Sequence, residues 1–418
     1  MRPFQDPGPG QRLLTVEEAQ ERVLAAVAPL DSESVRFDEA FGRVLREDVA
    51  AAADVPPHDN SAMDGYALVA ADVEAAGEQN PVVLEVTGDV AAGRGTNDRV
   101  ERGTAMRIMT GAPVPDGADA VAQVEITDGG AGSVRVLRAV AQGRNIRRRG
   151  EDMRAGHVVL RSGIRIGAGE VGVLATARKV SVLVGRRPRV AILATGDEIA
   201  DVAAGNEGKT VNSNSYALAA LVREAGGEPS IRDVVPDDRA ATIAAIDSAS
   251  SFDFVVSSGG VSVGAYDFVR EALEALGAEA HFWRVAMKPG KPTLMSKLGR
   301  SMFFGLPGNP VSCLVSFTLF AGPALRKAAG QTAGLLPPVV TTRAAAPLQS
   351  AGDRRTYLRV RVTARDGALH SEPMPSQGSG VSTSMAGANG LAVVEEGVRL
   401  VEAGAAVPTV LLAAPFSP

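Results

Sequence analysis

A chain of 418 residues exceeds what one hydrophobic core supports, so two to four domains are expected, and its 45% apolar content lets each bury a core. A formal charge of −5 argues against nucleic acid or a membrane surface as partner. A single cysteine, Cys313, excludes an intramolecular disulfide and any cysteine-rich zinc site, so a bound metal must be held by oxygen.

The Pro/Gly-rich leader Met1–Gly10 lacks the apolar core of a secretory signal, and no window reaches the ~18 uncharged apolar residues of a membrane span, so the chain reads as cytoplasmic. Thr15-Val-Glu-Glu18 has capping-box spacing, and Val16, Ala19, Val23 and Val27 share one helical face. From about Asp54 to Gln142 the texture changes to short valine-rich strands broken by Gly and Asp, such as Val82–Val86 and Ala118–Val124, which predicts an inserted β-domain. Between Lys179 and Gly330 strand and helix patterns alternate, as in a parallel sheet flanked by helices. Leu218, Leu221, Val222 and Ala225 predict a helix stopped by Gly226, and Val269, Ala272, Leu273 and Leu276 one stopped by Gly277. Beyond Pro337-Pro338, alternation in Tyr357–Thr363 and the runs Leu391–Val394 and Val407–Leu412 predict a C-terminal β-domain.

Four strand-like segments of the α/β region end in loops suited to anions or metals: Ala194–Glu198, Ser257–Gly264, Met287–Pro292 and Leu306–Pro310. In an open α/β sheet such loops emerge at one edge, where ligands bind. Asn309 suits an N-cap, Pro310 the first helical position and Gly308 a close backbone approach, so Pro307–Pro310 would present free N–H groups to an anion. Ser258, Gly259, Gly260, Ser262 and Gly264 form a phosphate-cradling loop without the lysine of a Walker motif. Asp267 and the pair Asp237-Asp238 read in isolation as ordinary helix starts, and as acidic groups of the site in the company of these loops; Glu198 adds another carboxylate. Carboxylates beside phosphate loops conflict electrostatically unless a hard dication, Mg²⁺, joins them. Lys288 and Lys291 lie three apart across the turn Lys288-Pro289-Gly290-Lys291, whose proline-fixed backbone can hold both over one anion, with Arg284 upstream. In the N-terminal half, Pro56–Tyr66 and Arg107–Pro115 are dense in polar side chains, and Asn145–Asp152 mixes three arginines with two acids.

Taken together, Asp59–Tyr66, Arg107–Pro113, Arg148–Asp152, Ala194–Glu198, Ser258–Gly264, Lys288–Lys291 and Pro307–Pro310, in this order, closely resemble the molybdopterin molybdenumtransferases, the MoeA and gephyrin E-domain family. The resemblance implies a multidomain α/β plus β protein. Its parts are an elongated helical domain (11–53 and 144–178), an inserted β-domain (54–143), a three-layer α/β molybdopterin/AMP-binding domain (179–332) and a C-terminal β-barrel (333–418). It implies a homodimer in which the inserted domain of one subunit faces the α/β crevice of the other, small-molecule substrates, and other cofactor-biosynthesis proteins as partners. The implied reaction is Mg²⁺-dependent insertion of molybdate into adenylylated molybdopterin with loss of AMP.

By motif, Asp59, Thr110, Asp152, Glu198, Asp237, Asp267, Lys288 and Lys291 resemble the family's catalytic residues, with Glu198 and Asp267 nearest the metal. The same match assigns cofactor binding to Ser258, Gly259, Gly260, Ser262, Gly264, Lys288, Pro289, Gly290, Lys291, Pro307, Gly308, Asn309 and Pro310. Ala265 and Arg284 depart from residues common in relatives, and Arg354, Arg355 and Ser376–Ser384 are looser oxyanion candidates. Two alternatives follow: a molybdopterin adenylyltransferase, whose glycine loop usually continues Thr-Gly-Gly-Thr-Gly where this chain has Ser258-Gly-Gly-Val-Ser262, and a gephyrin-like scaffold.

Overall fold

A computed structural model describes residues 12–94, 97–203, 208–261 and 267–416; Ser262, Gly264 and Ala265 and the leader to Gly10 lie outside the described residues. Helix α1 (Val16–Ala26) opens with the capping box: Thr15 Oγ1 accepts from the Glu18 N–H while Glu18 accepts from the Thr15 N–H. Its buried face, Val16, Ala19 and Val23, packs into the α/β core with Phe320, Leu325 and Ala328. What remains of the two segments expected to form a helical domain is built around helix α2 (Ala168–Thr176) and short antiparallel ribbons, and Ser32–Arg36 pairs with Ser181–Gly185, a strand beyond the expected boundary at 178. The alternating Val182 and Val184 bury one face of that ribbon, a period-two pattern that favours strand over helix.

The inserted domain is a five-stranded sheet ordered Ala120–Gln123, Gly65–Leu68, Thr104–Ile108, Val82–Val90, Ser133–Val136. Apolar clusters cover both faces, with Tyr66, Leu68 and Leu84 on one and Ala67, Met106 and Ile108 on the other.

The α/β domain holds a six-stranded sheet. Its strands are β1 (Arg189–Ala194), β2 (Glu228–Ile231), β3 (Phe254–Ser258), β4 (Glu279–Trp283), β5 (Leu294–Leu298) and β6 (Ser301–Leu306), in spatial order 2-1-3-6-5-4. β5 alone runs against the rest, because the two residues between it and β6 allow only a hairpin. β4 is antiparallel to β5 and so regains the direction of β6, which keeps the ends of β1, β3, β4 and β6 at one edge. The chain leaves β1 for β2 on one side and returns to β3 on the other, making a topological switch point at the ends of β1 and β3.

Side-chain alternation then builds three layers. Val190, Ile192, Val256 and Phe304 face α1, helix α3 (Ser213–Glu224) and the long helix after β6, whereas Ala191, Leu193, Val255 and Phe303 face α4 (Arg239–Ala249) and α5 (Val269–Ala275). The long helix runs as α6 (Pro310–Ser316), a π-helical turn (Phe317–Ala321) and α7 (Gly322–Ala328). Gly226 and Gly277, at φ +86 and +72, follow the C-terminal ends of α3 and α5 as the sequence predicts.

The C-terminal domain is a closed five-stranded barrel of β7 (Val339–Ala344), β8 (Arg355–Arg365), β9 (Ala368–Pro373), β10 (Gly390–Val394) and β11 (Ala406–Leu411), joined in the order 8-9-7-11-10 and back to 8. Met287–Lys288 adds in parallel to the start of β8, which seats the lysine turn on the barrel. No helix among the described residues is long and apolar enough to cross a membrane.

Candidate functional site

A cavity of about 630 Å³ opens at the switch point. The ends of β1 and β3 supply Thr195, Gly196 and Glu198 on one side and Ser258, Gly259, Gly260 and Val261 on the other. Gly259 and Gly260 hold φ of +97 and +68, and a Cβ on Gly260 would lie 2.6 Å from Val269 Cγ2. Only glycine fits that turn, which brings backbone rather than side chain to the cavity wall. The Gly259 N–H donates to the Leu306 carbonyl at 3.0 Å, drawing the loop after β3 onto Pro307–Pro310.

Asn214, in the first turn of α3, clamps this junction: its Nδ2 donates to Ser258 Oγ at 2.8 Å and to the Gly308 carbonyl at 2.7 Å. Asn214 carries no motif signal beyond its place in Asn212-Ser-Asn214, where Asn212 Oδ1 caps the helix at Ser215. The helix start after β6 differs from expectation. Asn309 occupies the N-cap position but makes no side-chain capping bond, and the Val311 N–H, expected to be free, donates to the Ser379 carbonyl at 3.0 Å. The barrel thereby closes part of the helix terminus, and Gly380 of the same loop completes the cavity wall.

Three carboxylates line the space: Glu198, Asp237 and Asp267. Asp197 and Asp237 exchange backbone-to-carboxylate bonds at 3.2 and 3.3 Å, fixing two neighbouring strand-end loops to one another. Asp238, not Asp237, caps α4 by accepting from the Ala241 N–H at 2.8 Å. Phe268 holds the N-cap position of α5, so Asp267 precedes the cap and reaches the cavity instead. Among the described residues no lysine or arginine lines this wall, and no group of three or more His, Cys, Asp or Glu converges to hold a metal by itself. The described wall is thus acidic, without a basic side chain of its own. Mg²⁺ suits such a donor set, since it keeps several waters and takes one or two carboxylates plus substrate phosphates. Beneath the wall, burial pushes the Cys313 thiol up to about 12, so it is inert.

Lys288, Pro289, Gly290 and Lys291 do not line this cavity, although Pro292 of the same turn does. Lys288 is exposed on the barrel edge, close enough to Asp353 to help hold that carboxyl below its usual range, after the Arg354 guanidinium. Arg284 takes φ +70 directly after β4, and its N–H donates to the Thr293 carbonyl, so the chain turns sharply into the lysine segment.

Asp59, Thr110 and Asp152 gather elsewhere. Asn60-Ser61 pairs antiparallel with Ile146-Arg147, and Asn60 also bridges to Pro113, bringing three remote stretches together. The Arg149 N–H at 2.8 Å and the Arg148 guanidinium at 2.6 Å hold Asp59 below the ordinary carboxylate range. Thr110 donates through both its N–H and its hydroxyl to Asp64, at 2.6 and 2.8 Å. Asp152 is exposed nearby, and Asn60 Oδ1 is buried without a hydrogen-bond partner among the described residues. None of these side chains lines the cavity of the same chain.

Comparison with known proteins covers nearly the whole chain. Family models described as "MoeA N-terminal region (domain I and II)", "Probable molybdopterin binding domain" and "MoeA C-terminal region (domain IV)" match residues 14–177, 191–327 and 341–412. A molybdopterin molybdenumtransferase of Nostoc sp. is 38% identical over 380 residues, covering 90% of this chain and 87% of its own. That of Bacillus subtilis is 35% identical over 406 residues, covering 96% and 94%. The crystal structure of the molybdopterin biosynthesis moeA protein of Pyrococcus horikoshii superposes with a TM-score of 0.81 at 31% identity, covering 96% of this chain and all of that one.

Proposed function

The chain belongs to the molybdopterin molybdenumtransferases, enzymes of molybdenum-cofactor biosynthesis, and from that premise we propose that its switch-point cavity binds adenylylated molybdopterin and that the protein inserts molybdate with Mg²⁺-dependent release of AMP. The observation that carries this reading is the cavity itself, where glycine backbone and the clamped Pro307–Pro310 loop face Glu198, Asp237 and Asp267 across about 630 Å³.

Glu198 and Asp267 would hold Mg²⁺ against the phosphates, with Asp237 beside them. When bound, the ion screens the phosphoanhydride from the carboxylates and stabilises charge gathering on the departing phosphate. The residues themselves do the positioning. Backbone at Gly259, Gly260 and Gly308 lets the phosphates approach, Asn214 keeps those loops in register, and Pro292 carries the lysine turn to the rim. Lys288 and Lys291 would meet the molybdate, a substrate anion needing fixed positive charge without bulk.

Asp59, Thr110 and Asp152 enter the same reading only through a homodimer, in which one subunit's inserted domain covers the other's crevice. The exposure of Thr110 and Asp152 leaves that cluster open to a ligand or a second copy. A cytoplasmic location belongs to this reading as well. The adenylyltransferase alternative is not favoured: relatives named for molybdenum transfer match nearly the full length.

Adenylylated molybdopterin, molybdate and Mg²⁺ should yield AMP and molybdenum cofactor, while ATP and molybdopterin should yield no adenylylated product. The reverse pattern overturns the assignment. Asp267→Asn should abolish AMP release and leave the dimer intact; lost dimerisation with normal turnover would return Asp267 to a structural role at the start of α5.

A further inference from the structure

A second cavity, of about 360 Å³, lies where the segment carrying Arg165, the α/β domain and the barrel meet. It shares no wall residue with the first. Its apolar lining comes from Leu221 of α3, Phe317 of the π-helical turn, Leu336 of the connection to the barrel, and Met385 and Leu412 of the barrel domain, with Thr318 and Gln331 among them. Two arginines, Arg165 and Arg326, line it as well.

Neither guanidinium has a carboxylate partner among the described residues. Arg326 Nε donates to the Leu335 carbonyl at 2.7 Å, and among the described residues no ion pair joins Arg326 or Arg165 to an acid. Glu224 lines the cavity too, yet it is exposed and pairs with neither. Burial, and then the charge of Arg165, press the Arg326 pKa below its usual value, so the two cations feel one another. The adjoining small void is also lined by Arg165 and Arg326 and adds Arg43, whose guanidinium is by contrast neutralised by Glu33. Among the described residues Arg165 and Arg326 are thus left without an ion pair, and Arg187 adds further positive charge near Arg165.

Arg326 is half-buried and Arg165 exposed beside it, so like charge faces like charge at an apolar lining, and an anion between them relieves that repulsion. The planar guanidinium fork matches a carboxylate, and the aliphatic and aromatic walls require an apolar body behind it. We propose that this cavity is a binding site for a small monocarboxylate with a compact apolar group, its carboxylate between Arg165 and Arg326 and its body against Leu221, Phe317 and Met385. The site stands whether or not the assignment of the first cavity does.

Calorimetric titration of the full-length protein with 3-phenylpropionate tests this, with 3-phenylpropanamide and inorganic phosphate as controls. The acid should bind at least about tenfold more tightly than either control, and Arg326→Met and Arg165→Met should each weaken it about tenfold, the loss expected for one charged hydrogen-bonding partner. Equal affinity for acid and amide, equal affinity for phosphate alone, or unchanged binding in both variants overturns the proposal. Should Arg326→Met fail to fold, Arg165→Met, which alters an exposed side chain, carries the test: unchanged affinity there refutes the site.

Discussion

Asn214 and Gly308 are joined by a 2.7 Å hydrogen bond from the Asn214 amide to the Gly308 carbonyl, and the same amide nitrogen reaches Ser258 Oγ. One side chain therefore sets the spacing between the loops after β3 and β6. Asn214→Ala removes both bonds, worth about 1–2 kcal/mol together. We expect kcat/KM for AMP release to fall about tenfold or more, with a melting temperature shift of only a few degrees. Asn214→Asp, which sets a carboxylate against the Gly308 carbonyl, should be worse than Ala. Steady-state kinetics with thermal melts separates the effects, and an Asp variant as active as wild type would contradict the clamp.

Gly260 sits at φ +68, and a Cβ added there would stand 2.6 Å from Val269 Cγ2. Gly260→Ala combines left-handed strain with a contact into the first turn of α5, for an expected loss of about 1–3 kcal/mol. Chemical denaturation measures it. Gly129→Ala, at φ +70 with nothing within 4 Å, should cost only the conformational part.

Arg359 is almost fully buried yet has no carboxylate partner among the described residues; it donates to Ser384 Oγ and to the carbonyls of Ser376 and Gly378, each at 3.0–3.1 Å. These bonds shape the barrel loop whose Ser379 carbonyl receives the Val311 N–H. Arg359→Met leaves the acceptors unpaired, and we expect a loss of about 2–4 kcal/mol. Hydrogen exchange at the Val311 amide should rise alongside. Normal protection there would show that the loop holds its shape without Arg359.

Asp253 accepts both Arg186 nitrogens, at 2.7 and 2.9 Å, and the Arg189 N–H at 2.7 Å, tying the entry of β1 to the start of β3. Burial raises its pKa, but the Arg186 pair and the Arg189 N–H outweigh it, so the net shift is downward. A depressed carboxyl contributes stability that is present above its unfolded value, about 3.9, and is lost as pH falls through the lower folded value. Asp253→Asn should cost about 1–2 kcal/mol at pH 7 and progressively less below pH ~4. Denaturant midpoints of both proteins between pH 3 and 7 provide the measurement; a gap that widens on acidification would reverse the sign.

Local chemistry was readable from residue order alone. The capping box at Thr15 and Glu18, the helix stops at Gly226 and Gly277, and the glycine turn at Gly259-Gly260 depend on neighbours within a few positions, so propensity and sterics suffice to announce them. That Glu198, Asp237 and Asp267 line one cavity was also foreseeable, because parallel strands place their carboxyl ends at one edge.

Other relationships needed the folded chain. That Asn214 bridges two loops, that Ser379 occupies the Val311 N–H, that Asp267 precedes its helix cap, and that Arg165 meets Arg326 in an apolar space all join residues 44 to 161 positions apart or depend on one backbone turn. Such pairings are chosen by how layers pack, where the free energy of burying whole faces outweighs any local preference. Residue order specifies the elements, the loop chemistry and the edge where it collects; the packing of domain on domain selects which donors stay open to a ligand and which are consumed by a neighbour.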